Sequence, residues 1–174
     1  MKIITKLKSY LNQPQILFLL IFAAGLLLRI YNFNWDQNNH LHPDERQITM
    51  VAMDISFPKN LTFSNLFNSD SPFNPKFFAY GSFPIYLLKF SANFFSLFDP
   101  EILNYDQINL FGRLVSAVFD SLTIVIIYQI TWLLFSSRKK SLPAAAIYAF
   151  SVFPIQLSHF YAVDTLLTFF ICLT

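Results

Sequence analysis

The feature that most constrains this chain is residues 109–135, a run of 27 residues in which only Arg113 and Asp120 are charged. A helix crosses a bilayer core with about 20 mostly apolar residues. Two further apolar runs, 14–31 and 142–160, approach that length. Only 13% of the chain is charged, about half the share typical of soluble domains. The sequence therefore predicts an all-α fold, a polytopic membrane helix bundle.

Composition also narrows the function classes. The formal net charge is +2, and no basic run is interleaved with aromatic residues, so binding to nucleic acid is not indicated. Glycine-rich phosphate loops are absent, so a soluble nucleotide cofactor is not indicated. The sequence also has no Gly-x-Ser-x-Gly nucleophile elbow. The single cysteine, Cys172, lies in an apolar run and is interpreted as a small hydrophobic residue.

Charge bias predicts the topology of the first span. The leader, residues 1–13, carries Lys2, Lys6 and Lys8 and is expected to stay cytoplasmic. A first transmembrane helix over about 14–31 would then lead to the outer face of the cell membrane. Arg29, near the outer end of this helix, is expected to extend to the membrane interface. A cleaved signal peptide is the alternative, but the run is long for one and no small-residue cleavage site follows it.

The next segment, 32–108, is predicted to be an outer loop carrying short interfacial helices, one of them near Asp44 to Met53. Within it, 76–98 is apolar but interrupted by glycine, proline and lysine. If 76–98 spanned the membrane, the basic cluster 138–140 would fall outside, against the positive-inside rule. We therefore expect 76–98 to lie at the interface and a second transmembrane helix to occupy about 109–135.

Residues 138–140 are then expected to form a cytoplasmic turn. A third transmembrane helix over about 142–160 would return outward, with a kink at Pro154. A fourth would begin at 165–174, a stretch too short to cross a bilayer. The sequence thus predicts that 14–174 is the N-terminal part of a larger transmembrane domain, which would be incomplete by itself.

Adjacent carboxylates, Asp44 and Glu45, are the first candidates for chemistry. One could accept a proton while the other orients it or binds a metal. The alternative is that both stabilise the start of a short helix. His40 and His42 alternate with Asp44 and could share a face of an extended chain, but they do not make a typical zinc pattern. They are weak metal candidates, and metal use is left open.

Polar residues also follow a helical spacing inside the second span. Arg113 and Asp120 belong to a stripe with Ser116 and Thr123. Charges within a membrane usually face a bundle interior or a cavity. Arg113 could bind a lipid phosphate as a planar fork, and Asp120, about 10 Å deeper, could contact substrate. The alternative is that both pair with other helices.

His159 and Asp164 complete the candidate set, near the outer end of the third span. Asp164 would lie in the same compartment as Asp44. It could equally be the N-cap of the fourth helix.

Four motifs in order resemble the N-terminal part of the GT-C superfamily of glycosyltransferases, closest to the protein O-mannosyltransferase and aminoarabinose-transferase-like set, glycosyltransferase family 39. They are HPDE at 42–45, YGSFPIYLL at 80–88, GRLVSAVFD at 112–120 and SHFYAVDT at 158–165. Together they cover nearly all of the chain after the leader.

The resemblance implies a multi-span enzyme that moves a sugar, with inversion, from a polyprenyl-phosphate carrier to a protein, lipid or glycan on the outer face. It implies Asp44 as catalytic base with Glu45 beside it, and Asp164 as a second acid of the site. Arg113 would lie near the carrier phosphate, and His159 and Asp120 would bind substrate. The partners would be the membrane, the lipid-linked donor and an acceptor that the sequence does not identify.

Two other classes stay open on the sequence. A fragment of a transporter or flippase would use Arg113 and Asp120 to line a path. A non-catalytic membrane subunit would tolerate substitution of both Asp44 and Glu45.

Overall fold

The computed structural model describes residues 13–60 and 62–174. Most of the predicted leader, residues 1–13, lies outside the described part. Within that part the chain is helical and contains no strand, which confirms the all-α prediction. The helices are α1 (Pro14–Ile30), α2 (Pro43–Asp54), α3 (Phe63–Phe67), α4 (Phe83–Phe95), a 3₁₀ helix (Pro100–Leu103), α5 (Tyr105–Phe135), α6 (Arg138–Phe150), α7 (Val152–Ser158) and α8 (Val163–Leu173).

Helix α5, with 31 residues, is long and apolar enough to cross a membrane. Helices α6 and α7 have the length and composition of a membrane span only if they are taken together, and they meet at an angle of 55°. Helices α1 and α8 are apolar but shorter. Among the described residues, one helix or at most two therefore have the length and composition of a complete span.

The chain forms two compact units. The first contains α1, α6, α7, the part of α5 from Ser116 onward and the part of α8 from Asp164 onward. Its core is built from Ile124 and Tyr128 of α5 against Ala145 and Ala149 of α6, with aromatic and aliphatic side chains of α1 packed on them. Small residues allow the close approach, since a Cβ added at Gly25 would lie 2.7 Å from Ile124 Cδ1 and 3.1 Å from Ala149 Cβ.

The second unit contains residues 33–115 and 160–163. Helix α2 packs on α4, and each contributes a fully buried apolar stripe: Ile48 and Ala52 from α2, and Ile85, Leu88 and Ala92 from α4. These stripes repeat every three or four residues, as expected of helices with one buried face.

Several boundaries differ from those expected. The second long helix begins at Tyr105 rather than near residue 109, and the basic cluster forms the first turn of α6 instead of a connecting turn. The expected kinked helix over 142–160 is two helices that break at Ser151. The reason is Pro154, which has no N–H and whose ring would clash with the carbonyl of Phe150, four residues earlier. Helix α6 ends at Phe150, and Pro154 lies in the first turn of α7.

Candidate active site

Helix α2 begins where the sequence carries its paired carboxylates. His42 is the N-cap, and its Nδ1 accepts a hydrogen bond from the backbone N–H of Glu45 at 3.3 Å. Pro43 occupies the first turn, where its missing N–H costs nothing. Asp44 and Glu45 follow, at the positive end of the helix dipole. The predicted capping arrangement is therefore present, and both carboxylates also bind side chains that are distant in sequence.

Glu45 is fully buried and belongs to an ionic cluster with Arg113 and Asp36. Arg113 Nε and Nη2 donate to the two oxygens of Glu45, both at 2.8 Å. Arg113 Nη1 and Nη2 donate to the two oxygens of Asp36, at 2.9 and 2.8 Å. Nη1 also donates to the carbonyl of Phe33 at 3.0 Å. Every N–H donor of the guanidinium is thus engaged within the protein.

The cluster fixes three segments that are far apart in sequence. Besides Arg113, Glu45 Oε1 accepts the backbone N–H of Tyr161 at 2.9 Å, and the Tyr161 hydroxyl donates to the carbonyl of Pro84 at 2.7 Å. Gly112 makes this approach feasible, because a Cβ there would lie 2.8 Å from the Tyr161 ring. The glycine and arginine of the GRLVSAVFD motif, the glutamate of HPDE and the tyrosine of SHFYAVDT therefore meet at one point.

Asp36 completes the cluster and was not among the residues singled out from the sequence. Its Oδ2 also accepts the backbone N–H of Leu41 at 3.2 Å, so that it closes the loop that leads into α2. The hydrogen bonds from Arg113 lower the pKa of Asp36 below its ordinary value, although burial opposes them. In the sequence, Asp36 was one acidic residue in a polar loop, which is only a weak indication of a buried ion pair.

Asp44 is placed differently from its neighbour. Its side chain is half-buried, and its Oδ1 accepts a hydrogen bond from the Tyr80 hydroxyl at 2.7 Å. Within the described residues, its other oxygen, Oδ2, has no hydrogen-bond partner. The bond to Asp44 raises the pKa of Tyr80, which keeps the phenol protonated and donating. Asp44 is therefore an oriented carboxylate with one oxygen left for another molecule.

The two histidines of the loop do not converge with Asp44. His40 Nε2 lies 2.8 Å from Asp106 Oδ1, and His42 is the N-cap whose ring stacks on Phe160 with centroids 4.3 Å apart. No group of three or more His, Cys, Asp or Glu side chains in the described ranges is arranged to hold a metal ion.

The remaining candidates belong to the other unit, where Asp120 pairs with a partner that the sequence did not suggest. Arg29 Nε donates to Asp120 Oδ2 at 2.5 Å, and the Tyr148 hydroxyl donates to Asp120 Oδ1 at 2.6 Å. Arg29 Nη1 also donates to the carbonyls of Gly25 and Ala149. The expectation that Arg29 extends to the membrane interface is wrong, because its side chain is completely buried.

His159 and Asp164 are also in this unit. His159 Nε2 lies 2.9 Å from the carbonyl of Tyr31, and Nδ1 lies 2.7 Å from that of Ile155. Its ring thus links the end of α1 to α7. Asp164 is exposed in the first turn of α8, one residue inside the helix, so that it is not the N-cap.

Comparison with known proteins adds nothing to this geometry. No protein-family model, no curated protein and no solved structure matches the chain.

Proposed function

We propose that this chain belongs to a membrane glycosyltransferase that takes its sugar from a polyprenyl-phosphate carrier, with Asp44 as the catalytic base. The observation that carries the proposal is the contrast between two adjacent carboxylates. Glu45 is buried and paired with Arg113, whereas Asp44 is held by Tyr80 with one oxygen available. A base needs a fixed position and an unoccupied lone pair, and Asp44 has both.

The proposed step is a single displacement at the anomeric carbon of the sugar. The oxygen of an acceptor hydroxyl forms a bond to that carbon while the bond to the carrier phosphate oxygen breaks. The hydroxyl proton moves to Oδ2 of Asp44, and the polyprenyl phosphate leaves with the bonding electron pair. Attack opposite to the leaving group inverts the configuration.

Glu45 and Arg113 enter this proposal as positioning residues. Glu45 has no oxygen directed to solvent, and the donors of Arg113 are all engaged, so a carrier phosphate would have to displace a carboxylate to bind there. Their cluster instead fixes the first turn of α2, and thereby the backbone of Asp44. Asp164 and His159 stay predictions and take no part in the step.

The membrane topology of the proposal is multi-pass, with the N-terminus in the cytoplasm and α2 on the outer face. Helix α5 supplies one span, α1 an apolar helix of 17 residues, and α6 with α7 a bent one. Helix α4 has 13 residues and is about 20 Å long, shorter than the roughly 30 Å of a hydrocarbon core. This length supports an interfacial position for 76–98, and the lysines of the leader and residues 138–140 then share one side.

The transporter alternative is less well supported. It needs Arg113 and Asp120 to face a path, yet both are at most 1% exposed and are held by protein partners within their own units.

The test is a transfer assay in membranes that contain the chain within its complete reading frame. Labelled polyprenyl-phosphate sugars serve as donors, and lipid, glycan and peptide acceptors are compared. Asp44→Asn should lower turnover by about a hundredfold or more, the usual contribution of a general base. Asp54→Asn, an exposed aspartate at the far end of the same helix, is the matched control and should retain turnover. Retained transfer in Asp44→Asn, or no transfer by the wild type from any such donor, would overturn the proposal.

A further inference from the structure

A groove of about 340 Å³ lies in the first unit, between the beginning of α1 and the end of α5. Its volume falls in the range of small-molecule sites. The two helices run antiparallel here, since Phe18 contacts Tyr128 while Arg29, later on α1, contacts Asp120, earlier on α5. The groove is remote in sequence from the HPDE loop, and nothing in the proposed transfer reaction uses it.

The residues that line the groove change from apolar to polar along the helix axes. Phe18, Leu19 and Val125 form an apolar floor. Towards the ends of the helices the lining becomes polar, with Gln15 before the floor on α1 and Gln129 beyond it on α5. From Val125 to Trp132 the groove extends about 10 Å along α5, the length of several methylene groups.

A positively charged side chain, that of Arg138, lies at the polar end of the groove. Arg138 lines the groove, is exposed, and lies with its guanidinium carbon 5.0 Å from the centre of the Trp132 ring. No carboxylate in the described part of the chain is within ion-pair distance of it. Lys139 and Lys140 follow directly in sequence, so that three positively charged residues are adjacent in the first turn of α6.

From this arrangement we infer that the groove binds an anionic phospholipid of the leaflet that faces residues 138–140. The phosphodiester lies at Arg138, an acyl chain runs along Phe18, Leu19 and Val125, and Trp132 lies at the depth of the headgroups, as tryptophan commonly does. A soluble anion would satisfy Arg138 but leave the apolar floor exposed to water, whereas a lipid covers both. The inference requires that the chain be embedded in a membrane, but not that it transfer sugar.

The sequence provides a direct probe, because it has two tryptophans, Trp35 and Trp132. In a Trp35→Phe background the only tryptophan is the one in the groove. The purified chain in a non-ionic detergent would be titrated with phosphatidylglycerol brominated on its acyl chains, and quenching of Trp132 fluorescence would be recorded. Brominated phosphatidylcholine and brominated diacylglycerol are the comparison lipids.

We expect phosphatidylglycerol to quench at about a fifth or less of the mole fraction that phosphatidylcholine requires, since one cation near an anionic lipid surface contributes about that factor. Arg138→Gln should remove most of this preference, and Lys59→Gln, an exposed cation outside the groove, should leave it unchanged. Val125→Phe, which fills the floor and keeps the charge, should weaken quenching by all the lipids. The helical circular-dichroism spectrum reports whether each variant is folded.

Equal quenching by the anionic and the zwitterionic lipid would overturn the inference, as would an unchanged preference in Arg138→Gln. Inorganic phosphate at millimolar concentration should not displace the lipid. Displacement would show that the site takes a free anion, and would also overturn the inference. None of these outcomes depends on transferase activity, so failure here is distinguishable from failure of the proposed function.

Discussion

Arg113 binds both carboxylate oxygens of Glu45 at 2.8 Å, although 68 residues separate the two in sequence. The same guanidinium binds Asp36 with two more hydrogen bonds. One buried cation therefore binds two buried carboxylates, whereas the half-buried Asp44 and the exposed Arg46 carry the accessible charges at the start of α2. Membership of the ionic cluster thus distinguishes Glu45, a structural carboxylate, from Asp44, the carboxylate that the proposed reaction requires.

Removing the guanidinium of Arg113 should lower the free energy of unfolding substantially. Arg113→Gln leaves Asp36 and Glu45 buried without their counter-charge, and loss of one partner of a buried pair typically costs about 3–5 kcal/mol of unfolding free energy. Thermal or denaturant unfolding in detergent would measure the loss. Arg46→Gln is the control, since Arg46 is exposed on α2, and should change stability by less than about 0.5 kcal/mol. A stable Arg113→Gln protein would contradict the structural role of the cluster.

Gly112→Ala tests the close contact with Tyr161. Helix propensity alone predicts a gain of nearly 1 kcal/mol for glycine to alanine within a helix. The added Cβ would instead lie 2.8–2.9 Å from Tyr161 side-chain carbons, and we expect a net loss of about 1–3 kcal/mol from overpacking. The sign of the change in unfolding free energy decides between the two effects. A stabilised variant would show that Tyr161 can move away without penalty.

The pair of Arg29 and Asp120 can be tested by a double-mutant cycle. Arg29→Met or Asp120→Leu alone leaves one buried charge, for an expected loss of about 3–5 kcal/mol each. The double variant should lose much less than the sum, because no unpaired charge remains. Additive losses would indicate that the two side chains do not interact. The measurement is unfolding free energy in detergent, with retention of helical circular dichroism as the check on folding.

Asp36 gives the protein an acid-sensitive stability. Its pKa is lowered in the folded state by the hydrogen bonds from Arg113, so the stabilisation is present above its ordinary value of 3.8 and is lost as the pH falls through the folded value. The unfolding temperature should therefore drop steeply below about pH 4. Asp36→Asn should be less stable at pH 7 and should show a shallower acid dependence. Parallel pH profiles for the two proteins would contradict this linkage.

Some features follow from local sequence alone. The long apolar runs predicted an all-helical chain and a long helix through residues 109–135, because a helix needs about 20 mostly apolar residues to cross a bilayer. Pro43 with Asp44 and Glu45 predicted the start of α2, because capping and dipole interactions involve neighbours in sequence. The HPDE and GRLVSAVFD motifs also contained residues that the structure brings together.

The tertiary structure decided which charges pair. The sequence allows several partners for each of five charged residues: Arg29, Arg113, Asp36, Glu45 and Asp120. Only the packing of the helices determines which ion pairs form. Asp36 carried only a weak local signal, and Arg29 was expected at the membrane interface until the structure placed it against Asp120. The sequence determined which segments are helical, since that depends on near neighbours. The roles of Asp44 and Glu45 depended on which of them meets Arg113, a contact between residues far apart in the chain.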